Sequence, residues 1–239
     1  MRSIVYCGAD FSQWCLAEVV EPCGHAVEPR SVVVPGRAGT VLLGGEVPPK
    51  VLRVRLYWGA GVGLDAAGRA AVRHRVYAAL LNASGGELVV PGDSVVTYRD
   101  AVCTGCGDWS RLFADGSAEV EFTCFDPVAY GALAVWPGSA FRVGGTWPTW
   151  PVVTMVAAAG DGVKVADSAS GKFVLVEKDF GGGESAVLDF AKETCLVDGV
   201  DASSYVALGS DFFPLEPGDV TLAFTGCSSH TVTFYERWV

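Results

Sequence analysis

Between Val51 and Trp58 apolar residues recur at every second position. Leu52, Val54, Leu56 and Trp58 fall on one side, and Val51, Arg53, Arg55 and Tyr57 on the other. A period of two predicts a strand with one buried face. Shorter runs of the same kind precede it at Ile4–Tyr6, Leu16–Val20, Ser31–Val34 and Thr40–Leu43. The period then changes. Ala66–Leu81 is rich in helix formers, Asp65 can cap its start, and Ala67, Ala71, Val72, Val76, Ala79 and Leu80 predict one apolar stripe. Asn82–Gly86 ends the helix, and Glu87–Val90, Val95–Cys103 and Ala118–Cys124 return to strand patterning.

The stretch Phe125-Asp126-Pro127-Val128-Ala129-Tyr130-Gly131 closes this first half. Pro127 removes a backbone donor, and Gly131 permits a turn that other residues resist. Asp126, Pro127, Tyr130 and Gly131 are therefore expected to form the exit of one domain and the hinge into another.

The second half reads as short strands only: Ala140–Val143, Val152–Ala157, Gly162–Ala166, Lys172–Glu177, Ala186–Phe190, Thr194–Val197, Val220–Phe224 and Thr231–Tyr235. Glycine-bearing turns separate them about every ten residues, the spacing of a β-sandwich. The expected organisation is an α+β domain over residues 1–131, a linker and first strand over 132–150, and a β-sandwich over 151–239. The fold class is mainly β, with one helix.

Composition sharpens this. The chain has 239 residues, enough for one large or two small domains, and 30 glycines, in keeping with β structure and tight turns. No window nears the ~18 apolar residues of a membrane span. The start at Met1-Arg2-Ser3 has no signal-peptide pattern, so folding in a cytoplasm is expected, with the eight cysteines as free thiols. The formal charge is −10, with 11 Lys+Arg against 14 Asp+Glu in residues 1–130 and 6 against 13 thereafter. That balance argues against a phosphate-binding surface, and no specific nucleic-acid binding is expected.

Candidate chemistry is sparse. Cys103-Thr104-Gly105-Cys106 has the spacing of a zinc or redox half-site, but no second pair accompanies it, and a hairpin tip with two thiols is expected. His25, His74 and His230 lack any nucleophile signature around them. Asp161, Asp167, Glu184, Asp201 and Asp219 read as turn residues rather than as a glycosidase pair. Gly181-Gly182-Gly183 leads into a strand, unlike a phosphate loop. Trp147 and Trp150, in a W-P-x-W-P rhythm, are expected to pack against a domain; exposed in a groove, they would make a glycan platform. No enzyme, cofactor or metal is expected.

An ordered set of stretches resembles the siphophage distal tail protein family, Dit, among phage tail components. These are Ser3–Ser12, Val34-Pro35-Gly36-Arg37-Ala38-Gly39, Cys124–Gly131, Val197-Asp198-Gly199, Phe213–Gly218 and Glu236–Val239. The resemblance implies an N-terminal α+β domain assembling into a hexameric ring and a C-terminal galectin-like β-sandwich projecting outward. It further implies a virion protein of a long non-contractile tail, assembled in the host cytoplasm and located at the tail tip. Its partners would be itself, as one ring or two stacked rings, the tail tube protein, the tail-tip hub or tail-associated lysin, and receptor-binding proteins. No membrane insertion is implied.

Residue-level reasoning leads the same way. Arginine concentrated in one half suits protein contacts, and strand edges can join neighbours by sheet extension. The turn Pro35, Gly36, Arg37, Gly39 is the candidate ring contact, with Arg37 as charged anchor. The alternative function is a carbohydrate-binding sandwich that contacts a host-surface glycan.

Overall fold

The computed structural model describes residues 3–21, 26–58, 66–93, 95–107 and 117–239. Asp65 and His25 lie outside the described residues. The chain divides into two units, Met1–Tyr130 with Val239, and Gly131–Trp238.

In the first unit the strands are β1 (Val5–Tyr6), β2 (Ala9–Asp10), β3 (Cys15–Glu21), β4 (Glu28–Val33), β5 (Thr40–Glu46) and β6 (Lys50–Trp58). Helix α1 (Ala66–Leu80) follows, then β7 (Gly86–Val89), β8 (Thr97–Cys106), β9 (Ser117–Cys124) and the start of β10 (Ala129–Trp136). All described pairings are antiparallel: β6 lies between β3 and β9, β8 between β7 and β9, and β1 between β7 and β2.

The alternation along β6 is realised. Leu52, Val54 and Leu56 are buried beside Val120 and Phe122. Arg53 and Arg55 point the other way and pair across to Glu121 and Glu119 of β9. Tyr6 sits in this core, its ring edge-on to Phe122 at 5.1 Å and its hydroxyl donating to the Ala101 carbonyl at 3.1 Å. A phenol buried whole needs such an acceptor, because an unpaired hydroxyl there costs about 1–3 kcal/mol.

The helix packs differently from the predicted stripe. Val76 and Leu80 are buried and Val72 and Ala79 are half-buried, whereas Ala67 and Ala71 are exposed. The stripe thus reaches the core from Val72 onward. Asn82 closes that end: its side-chain oxygen accepts from the Ser84 N–H at 3.0 Å and its amide donates to the Gly85 carbonyl at 3.1 Å.

The second unit is a two-sheet sandwich. It takes the rest of β10 and adds β11 (Ala140–Val143), β12 (Val152–Ala157), β13 (Val163–Asp167), β14 (Phe173–Val176), β15 (Ser185–Asp189), β16 (Thr194–Val197), β17 (Val200–Asp201), β18 (Gly218–Thr225) and β19 (Cys227–Trp238). One sheet has the order β17-β16-β15-β12-β19-β10 and the other β11-β18-β13-β14. The inward positions are strictly alternating: Val153, Met155 and Ala157 of β12, Val163 and Val165 of β13, Val174 and Val176 of β14, and Ala186 and Leu188 of β15 are all buried. All eight strands predicted for this half are present, with ends shifted by a few residues.

Residues 132–150, expected as a linker and first strand, lie inside this unit. They hold most of β10, all of β11, and bridges from Trp147 to Arg237 and from Thr149 to Leu215. Gly131 does not make the expected turn. It sits within β10 and lacks a positive φ, and a Cβ there would stand 3.1 Å from Trp238 Nε1 and 3.3 Å from Glu236 Cβ. Close approach of β19, rather than turn geometry, accounts for the glycine.

Candidate assembly surfaces

Strands β4 and β5 form a two-stranded sheet of their own. Val32 faces Val41, Val33 faces Thr40 and Ser31 faces Leu42, and the register shifts between Arg30 and Ser31. Every residue of these strands is exposed except Val41, which is half-buried. Val33 is 71% exposed and Leu42 and Leu43 are each 68% exposed. Free two-stranded hairpins are marginally stable in water, and an exposed apolar ribbon invites a partner. Arg30 and Glu46 form an ion pair near its base.

The turn singled out from sequence is the tip of this ribbon. Pro35, Gly36, Arg37 and Gly39 are all exposed. The Arg37 N–H donates to the Val34 carbonyl at 3.2 Å, and Gly36 and Gly39 have φ of 80° and 79°. Both glycines thus take the left-handed backbone that tight reversal needs. Sequence reasoning placed strands at Ser31–Val34 and Thr40–Leu43 on either side of this turn, but the hydropathy of Val32–Val34 and Leu42–Leu43 gives no sign that both strands stand exposed.

At the domain exit, Asp126 is a local organiser. Its carboxylate accepts from the Val128 N–H at 3.1 Å and from the Tyr130 hydroxyl at 2.7 Å. Pro127 lies between these partners, and the Arg99 guanidinium stacks over the Tyr130 ring at 3.9 Å. Asp126, Val128 and Tyr130 therefore form one bonded cluster around Pro127, and Ala129 and Tyr130 pair with Tyr98 and Thr97 of β8.

The tryptophans divide. Trp150 is 39% exposed, while Trp147 is half-buried, its N–H donating to the Arg237 carbonyl at 3.1 Å. A cavity of about 450 Å³ in this unit is lined by Asp167, Lys172, Phe213, Glu216 and Asp219 among others, and by neither tryptophan. Asp201 and Asp167 serve their own loops, whereas Asp219 pairs with Arg142 of β11 at 3.4 Å. The Ser203 hydroxyl and N–H hold the Asp201 carboxyl below its usual range, the N–H bond measuring 2.9 Å. Asp167 accepts from the Ala169 and Ser170 N–H groups.

Of the histidines, His74 is exposed on α1 and His230 stacks on Phe224 at 3.7 Å. The Cys103 and Cys106 thiols lie within β8 rather than at a hairpin tip, because the strand runs on to Cys106. Among the described residues no group of three or more His, Cys, Asp or Glu side chains is placed to hold a metal ion, and no helix is long and apolar enough to cross a membrane.

Comparison with known proteins adds the following. Residues 144–238 match the siphovirus-type tail component, C-terminal domain. The matched residues lie within the second unit. Over the whole chain, the crystal structure of the Dit protein (gp 19.1) of phage SPP1, described as a paradigm of hub adsorption apparatus in phages infecting Gram-positive bacteria, superposes with a TM-score of 0.81. The match covers 99% of each chain at 19% identity. The chain therefore shares that fold. Two structures of the phage P2 baseplate, with calcium and with strontium, match at a TM-score of 0.48 and 8% and 9% identity, covering 92% of this chain and 90% of theirs. No curated protein sequence matches the chain.

Proposed function

We propose that the chain is a structural protein of a long non-contractile phage tail, and that six copies form a ring at the tail tip joining the tail tube to the hub. The match of residues 144–238 to the siphovirus-type tail component, C-terminal domain, and the whole-chain likeness to SPP1 Dit support the tail assignment. The exposed β4–β5 ribbon is the observation that carries ring formation.

A ribbon of six and seven residues reaches roughly 20 Å at ~3.3 Å per residue. It offers apolar side chains and a cationic tip at Arg37. A second copy of this chain carries a formal charge of −10, so its surface suits that tip. The ribbon's free edges offer backbone donors and acceptors to a neighbour's sheet. Six copies at −10 each would carry −60. A bore sharing that sign would let DNA pass without sticking, since like charge repels.

Negative-stain electron microscopy of the purified chain tests the ring. Six-fold particles with a central hole are expected. A ring whose bore is lined by Arg and Lys would sink the proposal about DNA passage while leaving the ring intact.

Carbohydrate binding by the second unit remains the alternative, favoured by the exposed face of Trp150. Binding on a glycan array that is lost in Trp150→Ala would establish it; silence across the array would remove it.

A further inference from the structure

The two thiols of β8 stand in a relation that an ordinary strand forbids. Residues three apart on a regular strand point to opposite faces, with Cα atoms about 10 Å apart, beyond the ~7 Å that a disulfide spans. Here the pairing with β9 shifts between Cys103, opposite Phe122, and Gly105, opposite Glu121. Thr104 is the extra residue of a bulge. That single insertion turns Cys106 to the same face as Cys103, and their sulfurs lie 3.6 Å apart.

The bulge is held by contacts that do not involve sulfur. The Thr104 and Thr123 hydroxyls are hydrogen-bonded at 2.8 Å. Gly105 and Gly107 permit close approach to β9: a Cβ would stand 3.0 Å from Glu121 Cβ at the first and 2.5 Å from the Glu119 carbonyl oxygen at the second. The thiol pair is thus presented by the strand geometry around it.

We propose that Cys103 and Cys106 are a disulfide-forming site that reacts with a small-molecule disulfide of the glutathione type. Cys106 is exposed and Cys103 is half-buried. Burial, followed by the neighbouring Cys106, pushes the Cys103 thiol up to about 12. Cys106 is therefore the entry point and Cys103 the resolving thiol.

The Cys106 thiolate attacks one sulfur of the reagent. A sulfur–sulfur bond forms to Cys106, the reagent's own bond breaks, and one thiolate leaves. Cys103 then attacks Cys106 Sγ, giving its proton to solvent, and the second thiolate leaves. The two cysteines are oxidised by two electrons in all, and the reagent is reduced to two thiols. The sulfurs close by roughly 1.5 Å to reach bonding distance. The inference does not depend on ring formation.

The test is mass spectrometry of the purified full chain after incubation with oxidised glutathione, alkylation with N-ethylmaleimide and tryptic digestion. The peptide Asp100–Arg111 should emerge two hydrogens lighter and unalkylated. Cys103→Ser should leave glutathione on Cys106, and Cys106→Ser should leave Cys103 free for alkylation. The ratio of closed to mixed disulfide should be larger in the native chain than in urea. The exposed Cys7 reports that the reagent acts. A native peptide carrying two maleimides or a lasting glutathione on Cys106, in a sample where Cys7 is modified, would overturn the proposal. So would equal ratios with and without urea.

Discussion

The Tyr130 hydroxyl donates to Asp126 Oδ2 at 2.7 Å, while Asp126 Oδ1 accepts from the Val128 N–H at 3.1 Å. One carboxylate therefore ties down both the turn after Pro127 and the first residues of β10. This cluster stands where sequence suggested a hinge.

The two bonds separate by substitution. Tyr130→Phe removes only the hydroxyl and should cost about 0.5–1.5 kcal/mol. Asp126→Ala removes both bonds and should cost clearly more. Denaturant unfolding measures both variants. Equal losses would mean that the Val128 bond contributes nothing.

Gly131 should resist enlargement because β19 crowds it. Gly131→Val should destabilise by about 1–3 kcal/mol through overpacking against Trp238 and Glu236. Gly138, with open space around it, is the control: Gly138→Ala should shift stability by less than about 0.5 kcal/mol. If both behave alike in thermal unfolding, the close approach of β19 is not what Gly131 is for.

Acid should weaken the capped turns. The Ser12 N–H at 2.8 Å and the Ser12 hydroxyl lower the Asp10 pKa in the first unit, and Ser203 lowers that of Asp201 in the second. A depressed folded pKa gives stability that is complete above the unfolded value, near pH ~4, and lost as pH falls below it. Asp10→Asn and Asp201→Asn should each flatten the fall of the melting temperature between about pH 5 and pH 2. A slope identical to that of the unsubstituted chain would deny these caps their linkage.

How much of this was legible in sequence depends on whether a feature is local. Leu52, Val54 and Leu56 announced their burial because a regular strand keeps its period, and the eight sandwich strands showed themselves the same way. Strand β10 was obscured. Pro127 and Gly131 mimic turn chemistry, yet the glycine answers to a strand about a hundred residues away. The Thr104 bulge was invisible for a related reason: only the ladder with β9 reveals an extra residue. Val33, Leu42 and Leu43 carry the hydropathy of a core, and no periodicity tells whether a chain covers its own strands or leaves them bare.

Removing the apolar face of the ribbon should separate assembly from folding. Leu42→Glu with Leu43→Glu alters side chains already 68% exposed, so the melting temperature of the single chain should scarcely move. Arg37→Glu should weaken assembly by reversing the charge at the tip. Unfolding of the double variant would show instead that the ribbon packs within its own chain.

The most direct test of the ring is solution mass by light scattering on a size-exclusion column, over a concentration series and with the double leucine variant alongside. The account predicts a species of six or twelve subunits for the unsubstituted chain and a folded monomer for the variant. A hexamer that survives loss of both leucines would contradict the role given to the ribbon, and a chain that stays monomeric at every concentration would contradict self-assembly itself.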